Sequence, residues 1–439
     1  MSSGETQGGI YLFIQYFIRI LLPNMDLFAV ITSLFTISSI FSYLNARWIK
    51  LPGVIGVMLL AIASALITVF AGKMVPQFSK LITDLNASID FSSALLDILL
   101  GFLLFASALH FDIKKLRSNL QGVLTISTVG VLLSTLIFAA LLFYALGLFG
   151  HEVPFIYCLI FGALISPTDA VAVAALLKNT RMPSRLETII NGESLFNDGI
   201  GIVLFITFVG LAATPGSELS VSHTAILFAR EVFGGLLLGL AMGWIAFRMM
   251  KRITDFQTIV IISISLVMII SLLGSMLHVS IPLAVVAAGL LIGSNTFGEH
   301  EESRLNEYLQ RIWGLFDELL NTILFVLIGL QLVSVSFSID YFVAGACATV
   351  ILLVARMLSI VLPIAFLRRS LSIKYNSVGI LTWGGLRGGI SVALALSLPP
   401  SPYRELILTA SFCVVVFSIF VQGLTLNKVV HRLLLNEKD

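Results

Sequence analysis

The chain has 439 residues, of which 58% are hydrophobic and 11% charged, with a formal net charge of +2 and a mean hydropathy of +1.03. A soluble domain of this length has no use for so much apolar surface, and a near-neutral balance without a basic, aromatic-laced face excludes nucleic acid as a partner. The composition describes an all-α polytopic membrane protein, because helices satisfy their own backbone inside lipid.

In chain order, the opening "MSSGETQGG" lacks the positive patch of a cleavable secretory signal, so the chain is expected to insert and be kept whole. Residues 10–22, "IYLFIQYFIRILL", are short for a span and carry Arg19; within an N-terminal segment 1–25 they read as surface-lying or a partial span. A spanning helix takes about 20 mainly apolar residues, and thirteen candidate windows follow. They run roughly 26–49, 51–75, 93–111, 119–149, 153–179, 184–213, 225–253, 255–277, 280–294, 309–332, 339–367, 377–399 and 404–434. Cys158, Cys347 and Cys413 all lie in such windows and read as packing residues. The six histidines show no metal-ligand spacing, so neither a cofactor nor a metal enzyme is expected.

Positive loops stay cytoplasmic. Nineteen of the 26 Lys and Arg residues lie in or flank the connections that follow odd-numbered windows or the C-terminal end, four are on the other side and three (Arg230, Arg356 and Arg387) are within spans, so the C-terminus is expected in the cytoplasm. If spans one to six match spans eight to thirteen, the odd offset inverts the second copy, a layout typical of secondary transporters. Two corresponding spans should then be interrupted at mid-membrane, and spans five and twelve qualify. In "ISPTDA", Pro167 cannot donate to the Ala163 carbonyl, while Thr168 and Asp169 favour a new helical start. In "GGLRGGI", four glycines weaken the helix on both sides of Arg387. Asp169 beside the N-terminal end of one half-helix, and Arg387 near the C-terminal end of another, would each offset a local dipole.

The sixth window holds "NGESLFNDGI". Asp198 stands 14 residues from the window's start, roughly 21 Å at about 1.5 Å per residue, which is the middle of a bilayer. Ser194 and Asp198 are four apart and share a face, as do Glu193 and Asn197 on the neighbouring stripe. Charges so deep are paired or line a pathway. The central acids are Asp169, Glu193 and Asp198; the central bases are Arg356 and Arg387. Pairing Glu193 with Arg356, and Asp169 near Arg387, leaves Asp198 to hold either a proton or a small cation. Sodium and lithium are hard ions, and Asp198, Asp169, Ser194, Thr168 and freed carbonyls would supply oxygen ligands. One site serving two ions in turn is an exchanger.

These residues resemble monovalent cation/proton antiporters of the NhaP-type and sodium/proton-exchanger branch. The likeness rests on "SPTDAVAV", "GESLFNDGIGIV", "ARMLS" and "TWGGLRGGISVAL" in that order and covers most of the chain. It implies an ion- and proton-binding role for Asp198, a crossed unwound helix at Thr168 and Asp169, a cation ligand in Ser194, and a buried Glu193–Arg356 pair. Asn197 occupies the place of a second aspartate in electrogenic relatives, which implies electroneutral exchange of H⁺ for Na⁺, or for Li⁺ or K⁺. The resemblance further implies a homodimer in the cell membrane, contacted by lipid. Segments 26–118 (spans one to three) and 255–335 (eight to ten) would form its interface side. Segments 119–224 (four to six) and 336–439 (eleven to thirteen and the cytoplasmic end) would form a mobile core, and 225–254 the linking span seven. Where many members place a glutamate after "LLF" in span three, this chain has Ala106 and Ser107. Two other classes compete: a gated cation channel, which needs a continuous pore, and an intramembrane hydrolase using Ser194, which needs a mid-depth histidine that no span offers.

Overall fold

The computed structural model of the chain describes residues 27–74, 99–169, 173, 182–213, 221–294, 302–332, 338–366 and 376–435. Residues 10–22, Asp97, most of "AVAV" after Asp169 and the terminal "NEKD" lie outside them. Among the described residues every regular element is a helix. The chain runs α1 Leu27–Leu44, α2 Gly53–Met74, α3 Leu100–Leu109, α4 Ile113–Leu124, α5 Val131–Leu148, α6 Phe155–Ile165, α7 Ser184–Ala213 and α8 Val221–Met250. It continues α9 Phe256–Leu277, α10 Ile281–Ser294, α11 Glu302–Leu332, α12 Ile339–Phe366, α13 Asn376–Trp383, α14 Gly389–Leu396, α15 Arg404–Phe417 and α16 Leu424–Leu435. Short π-helical turns join α4 to α5 at Thr125–Gly130 and α15 to α16 at Ser418–Gly423.

Seven helical runs among the described residues are long and apolar enough to cross a bilayer alone: Ile113–Leu148, Ser184–Ala213, Ala225–Met250, Phe256–Leu277, Glu307–Leu332, Ile339–Phe366 and Arg404–Leu433. Each of the thirteen windows contains a helix, but α3, α6 and α10 are shorter apolar helices, and the twelfth window is divided between α13 and α14.

The chain separates into two compact units, residues 1–94 with 321–335, and residues 95–320 with 336–439. In the first, the turn after α1 is closed by Asn45, whose Nδ2 donates to the Leu51 carbonyl (3.0 Å) while its Oδ1 accepts from the Leu51 amide (3.2 Å). There α2 meets the end of α11 at Gly329, where an added Cβ would lie 2.5 Å from that of Ala61.

In the second unit, lipid gives no hydrophobic drive between helices, so close backbone approach and dispersion hold them. Gly235, Gly239 and Gly243 of α8 recur every four residues against Ser280, Ala284 and Ala288. A Cβ at Gly239 would lie 2.0 Å from the Ala284 carbonyl oxygen. Trp313 of α11 is fully buried, packs on Phe105 of α3 with ring centroids 4.6 Å apart, and donates Nε1–H to Ser263 Oγ (3.0 Å). Phe233, Leu237 and Trp244 of α8, Ile261 and Leu272 of α9, and Val350 of α12 are exposed apolar side chains, as helices bathed in lipid require. Asp112 caps α4 by accepting from the Lys114 (2.9 Å) and Lys115 (3.2 Å) amides. Asp255 caps α9 through the Thr258 amide (2.8 Å) and hydroxyl, and these bonds hold its carboxyl below the usual aspartate range.

Candidate functional site

The site lies within the second unit, where two interrupted helices meet α7. Helix α6 stops at Ile165 because Pro167 has no amide hydrogen, and Ser166–Asp169 are non-helical. Helical bonding resumes from Asp169, whose carbonyl accepts from the Val173 amide (3.3 Å). Helix α13 stops at Trp383 and α14 begins at Gly389, with a non-helical glycine-rich stretch between.

The two breaks bond to each other. The Asp169 amide donates to the Leu386 carbonyl (2.8 Å), and Arg387 Nη1 donates to the carbonyls of Ser166 and Pro167, the latter at 2.7 Å. The Arg387 amide in turn donates to Ser418 Oγ (2.7 Å). Arg387 therefore neutralises the negative C-terminal end of α6, the opposite interrupted helix, and not the end of the helix that carries it. Two of the carbonyls that the Pro167 break frees are thus occupied by Arg387. Gly388 is the condition for this crossing, since a Cβ there would lie 1.9 Å from Asp169 Oδ2. Gly201 does the same for α7, where a Cβ would fall 2.2 Å from Pro167 Cγ.

On α7, Glu193, Ser194 and Asn197 are fully buried and Asp198 is 6% exposed. The hydroxyls of Thr168 and Ser194 are 2.8 Å apart, and Asn197 Nδ2 donates to Thr168 Oγ1 (2.8 Å). Asn197 Oδ1, Arg356 Nε and Arg387 Nε are buried with no hydrogen-bond partner. Asp198 lies in the electrostatic field of Asp169 and Arg387. One stripe of α7 therefore brings Ser194 to the Thr168 hydroxyl and Asp198 into the field of the two breaks, and the next stripe carries Asn197 to the same hydroxyl.

Glu193 faces α12. Arg356 donates to both its carboxylate oxygens, Nη2 to Oε2 at 2.8 Å and Nη1 to Oε1, and reaches the Leu381 carbonyl at 3.4 Å. This bidentate pair is buried on both sides. Gly385 makes room for it, its missing Cβ standing 3.0 Å from Arg356 Nε and 3.4 Å from Thr168 Cγ2.

All nine residues singled out in the sequence lie on these three converging elements and α12. Ser418, which accepts from the Arg387 amide, was not anticipated, nor were the hydroxyls of Ser134 and Thr135 on α5, which bond with that of Ser166. The available signal was a run of hydroxyls in otherwise apolar windows. It is ambiguous, because serine and threonine in membrane helices commonly bond their own preceding turn. Position 106 of α3, fully buried, is alanine and brings no carboxylate. Among the described residues no group of three or more His, Cys, Asp or Glu is placed to hold a metal.

Residues 33–432 match the family described as sodium/hydrogen exchanger, transmembrane. The chain is 41% identical over 412 residues to the Na⁺/H⁺ antiporter NhaP of Pseudomonas aeruginosa, covering 92% of this chain and 96% of the relative. It is 32% identical over 376 residues to the Na⁺/H⁺ antiporter NhaG of Bacillus atrophaeus, covering 83% of this chain and 68% of that one. Its fold matches the solved sodium proton antiporter MjNhaP1 from Methanocaldococcus jannaschii at pH 8, with a TM-score of 0.76 and 20% identity, over 93% of this chain and 99% of that one.

Proposed function

This chain belongs to the sodium/hydrogen exchanger family, and on that premise we propose how one buried carboxylate lets it exchange Na⁺ for H⁺ across a membrane. It is an integral membrane antiporter, a transporter and not an enzyme.

The single observation that carries the mechanism is the gathering of Asp198, Ser194, Thr168 and Asp169 where two interrupted helices cross α7. A carboxylate at this depth needs a positive companion. Arg356 is committed to Glu193, and Arg387 acts on Asp198 alongside a second carboxylate, Asp169, so the further and exchangeable companion of Asp198 is the transported ion. Na⁺ takes oxygens from Asp198, Ser194, Thr168 and Asp169; a proton takes Asp198 alone. The two exclude one another, and release of one on each side permits capture of the other. Asn197, an amide where a second acid would add a charge, supports one-for-one, electroneutral exchange. Li⁺ shares the hard-oxygen preference and is a second substrate, with K⁺ the alternative within the same fold.

The wider reading is thirteen crossings in two inverted repeats, spans one to six and eight to thirteen, in a cell-membrane homodimer with a cytoplasmic C-terminus. Spans four to six and eleven to thirteen carry the site through alternating access, and the paired breaks at Pro167 and Arg387 support it. A monomeric mass for the protein cross-linked in native membranes would remove the dimer.

The test is a pH-gradient flux assay in reconstituted vesicles. Asp198→Asn is expected to fold and to lose all Na⁺-dependent proton movement, and wild-type exchange by that variant ends the proposal. In the same vesicles an imposed potential of either sign is expected to leave the wild-type rate unchanged. A rate that follows the potential refutes electroneutrality, and unitary currents without a proton gradient would establish a channel instead.

A further inference from the structure

Resting on the reading of Thr168, Ser194 and Asp198 as the cation site, we propose that Ser134 and Thr135 of α5 are positioning residues for it, acting through the hydroxyl of Ser166. All three side chains are 1% exposed. Thr135 Oγ1 donates to Ser166 Oγ, and Ser166 Oγ donates to Ser134 Oγ, each at 3.2 Å. Thr135 Oγ1 also lies 3.5 Å from the Gly162 carbonyl.

On other helices among the described residues the usual alternative is seen. Thr207 bonds the Val203 carbonyl (2.7 Å), Thr349 that of Gly345 (2.8 Å) and Ser411 that of Ile407 (2.7 Å), each within its own helix. Ser134 and Thr135 instead meet a hydroxyl on the neighbouring element. The backbones are close enough for this because residue 162 is glycine: a Cβ there would lie 2.7 Å from the Thr135 carbonyl oxygen. Phe138 and Phe161 close the same seam edge to face, with centroids 5.1 Å apart.

Ser166 is the residue on which the placement of the break turns. It is the first residue beyond α6, its carbonyl is held by Arg387, and Thr168 follows two residues later. With the carbonyl held from the α13–α14 break and the hydroxyl from α5, the stretch Ser166–Pro167–Thr168 is fixed from two sides. Thr168 Oγ1 is thereby kept 2.8 Å from Ser194 Oγ. Loss of the α5 hydroxyls leaves one anchor, and Thr168 then samples positions that no longer match the cation.

The experiment is Na⁺-driven proton flux in proteoliposomes of the full chain, with apparent KM and Vmax determined separately. The variants are Ser166→Ala, Ser134→Ala with Thr135→Val, Thr135→Ser, and Asp198→Asn. The apparent KM for Na⁺ is expected to rise about fivefold in the first two, the size of one neutral hydrogen bond, with Vmax held within about twofold. Thr135→Ser, which keeps the hydroxyl, is expected to retain the wild-type KM. A wild-type KM in Ser166→Ala, or a loss of Vmax at unchanged KM, overturns the inference; Ser166→Ala decides the matter if the double variant does not fold. An active Asp198→Asn would instead overturn the site reading beneath it, whereas an inactive Asp198→Asn beside an unaffected Ser166→Ala overturns the positioning role alone.

Discussion

Glu193 and Arg356 are 163 positions apart and fully desolvated, yet they meet in a two-point fork. Such a pair gives little net stability relative to an apolar pair, because burying both charges costs about as much as their attraction returns. Breaking it is another matter. Glu193→Ala and Arg356→Ala each strand one charge in hydrocarbon and are expected to destabilise the fold by about 3–5 kcal/mol. Glu193→Leu combined with Arg356→Met removes both charges and is expected to melt above either single variant. Thermal unfolding in mild detergent measures all three, and a double variant less stable than both singles would contradict the pairing. Asp198, 6% exposed, is the residue to which the proposed mechanism assigns an exchangeable companion.

Helices here are joined by absence of side chain as much as by its presence. The α8–α10 seam depends on Gly239, whose added Cβ would meet the Ala284 carbonyl oxygen at 2.0 Å. Gly239→Ala is expected to force the two helices apart at a cost of about 1–3 kcal/mol, the usual range for overpacking, read as a lowered Tm in detergent. An unchanged Tm would show that the seam yields freely. The α9 cap makes a pH-dependent contribution of definite sign. Asp255 is held below the ordinary aspartate range by Thr258, so the cap's contribution is complete above that range and is lost as pH falls through the lowered folded value. Asp255→Asn is expected to flatten the acid limb of stability against pH, and an acid limb identical to wild type would deny the cap that role.

The distribution of Lys and Arg predicts the orientation of the whole chain, and topology mapping tests it. In a background lacking Cys158, Cys347 and Cys413, a cysteine at Glu152 is expected to label from outside intact cells. One at Lys251 is expected to label only after permeabilisation. Both native residues are exposed in turns between helices, so reagent access is not limiting. The reverse pattern would invert the proposed topology and place the C-terminus outside.

Mean hydropathy and the polar stripe of α7 were legible in the sequence, because transfer into lipid acts residue by residue and needs no partner. Pro167 and the glycines around Arg387 likewise announced their breaks, since a missing amide or Cβ is a local property. The family's motifs carried the rest of that reading. What Arg387 does with its charge was not legible: it neutralises the carbonyls of Ser166 and Pro167 more than 200 positions away, and not its own helix end. Nor was the direction of Ser134 and Thr135, because α5 is apolar all round and no periodicity says which face meets a neighbour. Composition and local chemistry made this chain a membrane helix bundle with a charged, interrupted centre. The approach of distant backbones chose the partners there, because hydrogen bonds and ion pairs act over a few ångströms that sequence spacing does not measure.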